Sequence, residues 1–270
     1  MREINADVIR VMSISLVVMF HLNILTIGWV GVDLFLFLSG YFAKMSLDKY
    51  SSYQFILKRA YRVTPAFIFS IVVILFASCV LLPSLFISEN LLFFISPIGH
   101  VFNILLYHKD FDYFNSVNWA LPTLHLWSLS LEVQLYFFIA VLYPIVSKLK
   151  SSILHIIKWF IPICFYFMFF KSDISSEYFN PIFRSYMFFV GFSFLNSSKI
   201  YTFFTITLYS LIIGSVYCFI LLLLPFLIGI NIGIENLPKH VLSKIKKLAH
   251  YSYEVYLIHW PIICFYNWYA

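Results

Sequence analysis

Charge is what this sequence has least of. Asp, Glu, Lys and Arg make up 11% of its 270 residues, 62% are hydrophobic, and the mean hydropathy is +0.90. Soluble domains carry about 25% charged residues. So little polar surface cannot cover a sphere in water, which excludes an ordinary soluble domain and makes lipid the surrounding solvent. Two-residue alternation of apolar and polar side chains is also missing, because the apolar runs are long and unbroken. Only helices and closed barrels satisfy their backbone inside a bilayer, so helices are selected. Cysteine is sparse, and Cys79, Cys164, Cys218 and Cys264 sit in apolar runs with neither disulfide nor metal spacing. The first run, Val8–Leu25, contains an arginine and lacks a small-residue cleavage site, so it reads as a retained helix and not a signal peptide. There is no internal repeat or low-complexity segment. A net charge of +6 suits basic loops and makes no case for nucleic acid.

What is present is enough apolar sequence for eight to ten spans of about 20 residues each. The expected architecture is all-α, a single polytopic transmembrane bundle over residues 1–270. Clear spans are Val8–Leu25, Trp29–Ala43, Ala66–Leu85, Leu126–Val146, Ile153–Phe170, Ile182–Leu195 and Tyr253–Trp268. Leu91–Tyr107, with Pro97, Gly99 and His100, fits either a short span or a re-entrant segment. Thr202–Ile230 is long for one span and short for two, with Gly214 and Pro225 as break points. Lys44, Lys49, Lys58, Arg59 and Arg62 cluster between the second and third helices, which puts that loop and the N-terminus in the cytoplasm. Glu89, Asp110 and Asp112 mark the next connection as outside, and Lys148 and Lys150 return inside. Lys239, Lys244, Lys246 and Lys247 are inside only if Thr202–Ile230 is a tight hairpin.

Ionisable groups inside a membrane helix are costly and point to function. Arg10 and His21 are eleven residues apart, about three full turns, so they share one helix face roughly 16 Å apart. The plainer alternative is a snorkelling arginine and an interfacial histidine. Asp33 opens the second helix, where it either serves a site or merely caps the helix, and Gly31 and Gly40 permit close helix approach. Arg59 and Arg62 on one face make a phosphate clamp, or only satisfy the inside bias of positive charge. In the run from Trp127 to Tyr136, Ser128, Glu132 and Tyr136 share a face, and Glu132 calls for a polar cavity. Ser252, Tyr256 and His259 share a face of the last helix, where interfacial aromatic packing is the competing account.

Taken in order, Arg10/His21, Trp29–Tyr41, Arg59/Arg62, Trp127–Tyr136 and Ser252–Pro261 resemble the motif blocks of the type 3 acyltransferases, a family of membrane O-acyltransferases of the kind that acetylate O-antigen and other polysaccharides. The resemblance covers nearly the whole chain. It departs where Glu132-Val133 replaces an acidic pair, where the interval from Trp127 to Tyr253 is short, and where the chain ends nine residues after Pro261, suggesting a shortened C-terminus.

The resemblance implies a bacterial inner-membrane enzyme with about ten helices around a pore-like site. Acyl-CoA, acetyl-CoA by family default, would enter from the cytoplasm with its phosphates on Arg10, Arg59 and Arg62. His21 would be the general base on a sugar or lipid-linked glycan hydroxyl, with Asp33 or Glu132 orienting its imidazole. Trp127, Ser128, Tyr136, Tyr256 and His259 would bind substrate, membrane lipid would surround the bundle, and no metal is called for. Two other readings stay open: a transporter or flippase for a glycan or anion, and an inactive, shortened relative.

Overall fold

The computed structural model describes residues 4–114, 121–169, 172, 174–195, 198–214, 222–223 and 237–270. Among them every regular element is helical. Among the described residues, four helices are long and apolar enough to cross a bilayer: α1 (Ile4–His21), α2 (Val30–Leu47), α3 (Ser52–Leu81) and the Leu124–Val146 unit, a 3₁₀ turn running into α7 (Trp127–Val146). The chain is a multi-pass helical membrane protein. Large apolar side chains such as Phe76, Phe137 and Phe167 are exposed around it, as an outer solvent of lipid requires.

Helix ends explain most differences from the expected spans. α1 stops at His21, earlier than Leu25, because Asn23 turns into the left-handed region at φ 57°, which asparagine tolerates. α3 starts at Ser52, well before Ala66. The Ser51 hydroxyl accepts from the Gln54 backbone N–H while the Gln54 side chain accepts from Ser51 N–H, so two donors at the helix start are satisfied reciprocally. Arg59 and Arg62 therefore stand within α3, ahead of Pro65, which the helix carries internally. Apolar runs mark only the lipid-buried part of a helix, and this one continues past the hydrocarbon.

Leu91–Tyr107 is broken, as Pro97 and Gly99 foreshadow. α4 (Ser84–Glu89) precedes it. It then comprises α5 (Leu91–Ile95), a 3₁₀ turn at Ser96–Gly99, His100 at φ 52°, and α6 (Phe102–His108). At 1.5 Å per residue none of these pieces reaches across about 30 Å of hydrocarbon. Its loose backbone is satisfied from α7: the Gln134 amide donates to the His100 carbonyl at 2.6 Å and to Asn103 Oδ1 at 2.9 Å.

α8 (Ser151–Phe169), the short α9 (Ile174–Glu177), α10 (Pro181–Phe194) and α11 (Lys199–Ile213) follow. Asn180 caps α10 through the N–H groups of Ile182 and Phe183, with Pro181 in the first turn. Gly214 ends α11 at φ 69°, so the first of the two expected break points is real. Pro225 and Cys218 lie outside the described residues. α12 (Lys239–His250) and α13 (Ser252–Tyr269) complete the chain.

The core is built on α2, which packs against α1 on one side and α10 on the other. Glycine decides both contacts. A Cβ on Gly31 would stand 2.4 Å from the Ser13 carbonyl of α1. One on Gly40 would meet the Phe188 carbonyl of α10 at 1.9 Å, and one on Gly191 would meet the Phe37 carbonyl at 2.0 Å. The α2–α10 crossing is thus reciprocal, with each glycine seated under the other helix's backbone.

Candidate active site

Arg10 and Arg59, 49 residues apart in the chain, converge with Arg62 on one cleft. α1 supplies Arg10, α2 supplies Phe35 and Ser39, α3 the other two arginines, α7 Ser128, Glu132 and Tyr136, and the end of the chain His250, Ser252, Tyr253 and Tyr256. The i, i+4, i+8 spacing of α7 brings its three polar residues onto the cleft as periodicity predicts. Glu132 accepts hydrogen bonds from the Tyr136 hydroxyl at 2.6 Å and from Ser39. The Arg59 guanidinium lies over the Tyr136 ring, 4.9 Å from its centroid. Arg10 pairs with buried Asp7 one turn away at 3.2 Å and covers the Phe42 ring.

His250 was not anticipated by sequence reading. It stands at the end of α12 and lines the cleft beside Arg59 and Arg62. The lysines of α12 and the basic start of α3 therefore lie at one end of the bundle.

Ser128 and Tyr256 form the cleft's inner floor. The Ser128 hydroxyl donates to the Tyr256 hydroxyl at 2.6 Å, which donates in turn to the His125 carbonyl at 2.7 Å. His21 is outside the cleft lining, 6% exposed, and is linked to Tyr256 through His259, whose ring lies 5.5 Å from that of Tyr256. Its Nδ1 is 2.8 Å from Nε2 of His259, its Nε2 is 2.8 Å from the Tyr113 hydroxyl, and the Trp260 ring lies 4.4 Å from its own. His259 thus turns from the cleft toward His21, while Ser252 and Tyr256 stay on the cleft.

Neither Asp33 nor Glu132, the two carboxylates expected to orient His21, is bonded to it. Asp33 is fully buried and engaged elsewhere: Arg184 Nη1 donates to its two oxygens at 2.9 and 3.1 Å, and the Tyr209 hydroxyl donates to Oδ1 at 3.2 Å. Glu132 is committed to Ser39 and Tyr136 on the cleft side of the floor. Nor does Asp33 act as a side-chain cap of α2, whose start shows no such bond. Trp127 lines no part of the cleft. It is buried with its ring 5.7 Å below the Arg184 guanidinium and 5.1 Å from Tyr178.

Arg184 and Tyr113 were both missed. Arg184 was legible, since it is a lone cation in the apolar run 182–195, and the rule that flagged Asp33 applies to it equally. Tyr113 carried no signal, being one of 19 tyrosines in an irregular stretch. It stacks on Tyr178 at 4.0 Å, and Tyr178 lies under the Arg184 guanidinium at 3.8 Å. Burial pushes the Tyr113 phenol well above its usual range, so it stays protonated beside His21 Nε2.

Three arginines, Arg10, Arg59 and Arg62, thus share a cleft within a helical membrane bundle that also buries a pair of histidines. The family comparison makes the class specific. The acyltransferase domain model of the type 3 family matches residues 3–267, and the chain belongs to that family. The membrane transacylase BcsY of Komagataeibacter xylinus is 30% identical over 208 residues, covering 70% of this chain and 50% of that protein. The O-acetyltransferase OatA of Staphylococcus aureus is 32% identical over 149 residues, covering 52% of this chain and 24% of that protein. The chain therefore spans half the length of the first relative and a quarter of the second. No solved structure matches it.

Proposed function

We propose that this protein is an O-acyltransferase of the bacterial inner membrane, N-terminus in the cytoplasm, moving an acetyl group from acetyl-CoA to a sugar hydroxyl of a surface or lipid-linked glycan. One observation carries the reading: guanidiniums from two separate helices share a cleft whose Tyr256 ring lies 5.5 Å from that of His259, the partner of buried His21. Arg10, Arg59 and Arg62 bind the phosphates as forked donors. The pantetheine arm bridges the roughly 16 Å along α1 between Arg10 and His21, which requires the Ser128–Tyr256 floor to part. Tyr136 and Ser252 line its path.

His21 removes the proton from the acceptor hydroxyl as that oxygen attacks the thioester carbonyl. The new C–O bond forms, the C–S bond breaks, and the imidazolium returns its proton to the departing thiolate. Glu132 remains on the cleft side and balances the guanidiniums. The names of the relatives, a membrane transacylase and an O-acetyltransferase, support the acyl chemistry.

The test is purified protein in bilayers with labelled acetyl-CoA and membrane glycan. The expected result is labelled O-acetyl ester, abolished by His21→Ala. Wild-type transfer by His21→Ala removes histidine as the base. Glycan or anion flux without a covalent product sinks the enzymatic reading in favour of transport, and neither activity marks an inactive chain.

A further inference from the structure

His259 makes a second polar contact that decides which nitrogen of His21 is basic. Its Nδ1 is 2.8 Å from the Tyr256 carbonyl and 3.3 Å from that of Val255. Carbonyls only accept, so Nδ1 carries the proton. The two imidazoles are surrounded by Phe20, Tyr113, His125, Tyr256 and Trp260, and the nearby carboxylates Asp33 and Glu132 are committed elsewhere. An imidazolium in such a place, with no counter-charge among the described residues, is strongly disfavoured, so both rings are neutral. Neutral His259 then has its lone pair on Nε2 and accepts from His21 Nδ1–H. His21 keeps its lone pair on Nε2, where the Tyr113 hydroxyl donates.

We propose that His259 is a positioning residue that locks His21 in the Nδ1–H tautomer, leaving Nε2 as the basic nitrogen and making the Tyr113 side the face on which the acceptor hydroxyl arrives. A backbone carbonyl, relayed through a second imidazole, here replaces the carboxylate that usually sets a catalytic histidine. The proposal rests on His21 being the base.

Two measurements test it. Solid-state NMR of ¹⁵N-histidine protein in bilayers reads the tautomer without any turnover. The expected spectrum has His21 protonated on Nδ1 and bare on Nε2, redistributed toward Nε2–H in His259→Phe and kept in His259→Gln, whose amide oxygen takes the place of the accepting nitrogen. In the acetyl-transfer assay, His259→Phe lowers kcat at least a hundredfold, the scale of a lost general base, with KM for acetyl-CoA unchanged, and His259→Gln recovers at least tenfold. A protonated Nε2 in the wild type, an unchanged kcat in His259→Phe, or a loss confined to KM overturns it. Wild-type protein with the expected spectrum and no acyl transfer defeats the proposed reaction and leaves the tautomer assignment standing.

A separate observation concerns α12. Its 12 residues extend about 18 Å, too short to cross a bilayer. At 100° per residue, Val241, Leu242, Ile245, Leu248 and Ala249 fall in an arc of about 120°, and Lys239, Lys244, Lys246 and Lys247 fill the rest with His240, Ser243 and His250. Ala249 is buried, the helix packs on α1 and α13, and Leu248 remains 57% exposed. We infer that α12 lies in the headgroup plane with Leu248 toward the acyl chains and its lysines on anionic phospholipid. In nanodiscs, phosphatidylglycerol is expected to raise the unfolding temperature over phosphatidylcholine, and Lys239→Glu/Lys244→Glu/Lys247→Glu to abolish the difference. No difference in the wild type, or an equal one in the variant, refutes the assignment.

Discussion

Removing Asp33 tests whether that carboxylate is chemical or structural. The pair it makes with Arg184 is fully buried, with two short hydrogen bonds, a third from Tyr209, and the cation sandwiched over Tyr178 at 3.8 Å. Breaking a buried pair from one side costs about 3–5 kcal/mol, because the other charge is stranded, whereas replacing both members with apolar residues of similar volume is often neutral. Asp33→Ala leaves the Arg184 guanidinium with neutral partners, the Tyr178 carbonyl and ring faces among them, and should fall in that range. Arg184→Met strands the carboxylate with Tyr209 alone and should cost about as much. Asp33→Ala/Arg184→Met strands neither charge and should recover much of the loss, giving a coupling of roughly 2 kcal/mol or more. Denaturant unfolding in bicelles, followed by tryptophan fluorescence, measures all four proteins. If Asp33→Ala is as stable as the wild type yet inactive, the structural reasoning is refuted and Asp33 belongs to the chemistry.

Gly40→Ala should separate α2 from α10, since its methyl would fall 1.9 Å from a backbone carbonyl. Overpacking of this kind costs about 1–3 kcal/mol or more, and Gly191→Ala should match it in the same assay, while Gly214→Asn, with open space around it, should be tolerated. Arg59→Lys keeps charge but loses the fork, so KM for acetyl-CoA should rise about tenfold with kcat retained, as steady-state kinetics will show. Glu132→Gln preserves an acceptor for Ser39 and Tyr136 and should unfold like the wild type, whereas Glu132→Ala strands both hydroxyls at about 1–3 kcal/mol. Tyr256→Trp should wedge the cleft floor and lower kcat without weakening binding of CoA, read by calorimetry.

Low charge and unbroken apolar runs settle a helical membrane bundle from sequence alone, because the backbone has no other way to satisfy itself in lipid. Spacing of four and eight residues in α7, and three in α3, puts Glu132, Tyr136, Arg59 and Arg62 on common faces, because helical periodicity is a local property. The break at Gly214 and the interruption around Pro97 are local as well. Helix starts are less legible, because capping by Ser51 extends α3 beyond its apolar run. What only the tertiary structure decided is pairing. A carboxylate in a span advertises that it needs a partner without naming it, so Asp33 was matched to His21 or to its own helix start, whereas it pairs with an arginine 151 residues away. Which imidazole nitrogen is basic depends on a carbonyl in another helix. Such choices are made by long-range packing, which brings together residues whose separation along the chain carries no information about their distance in space.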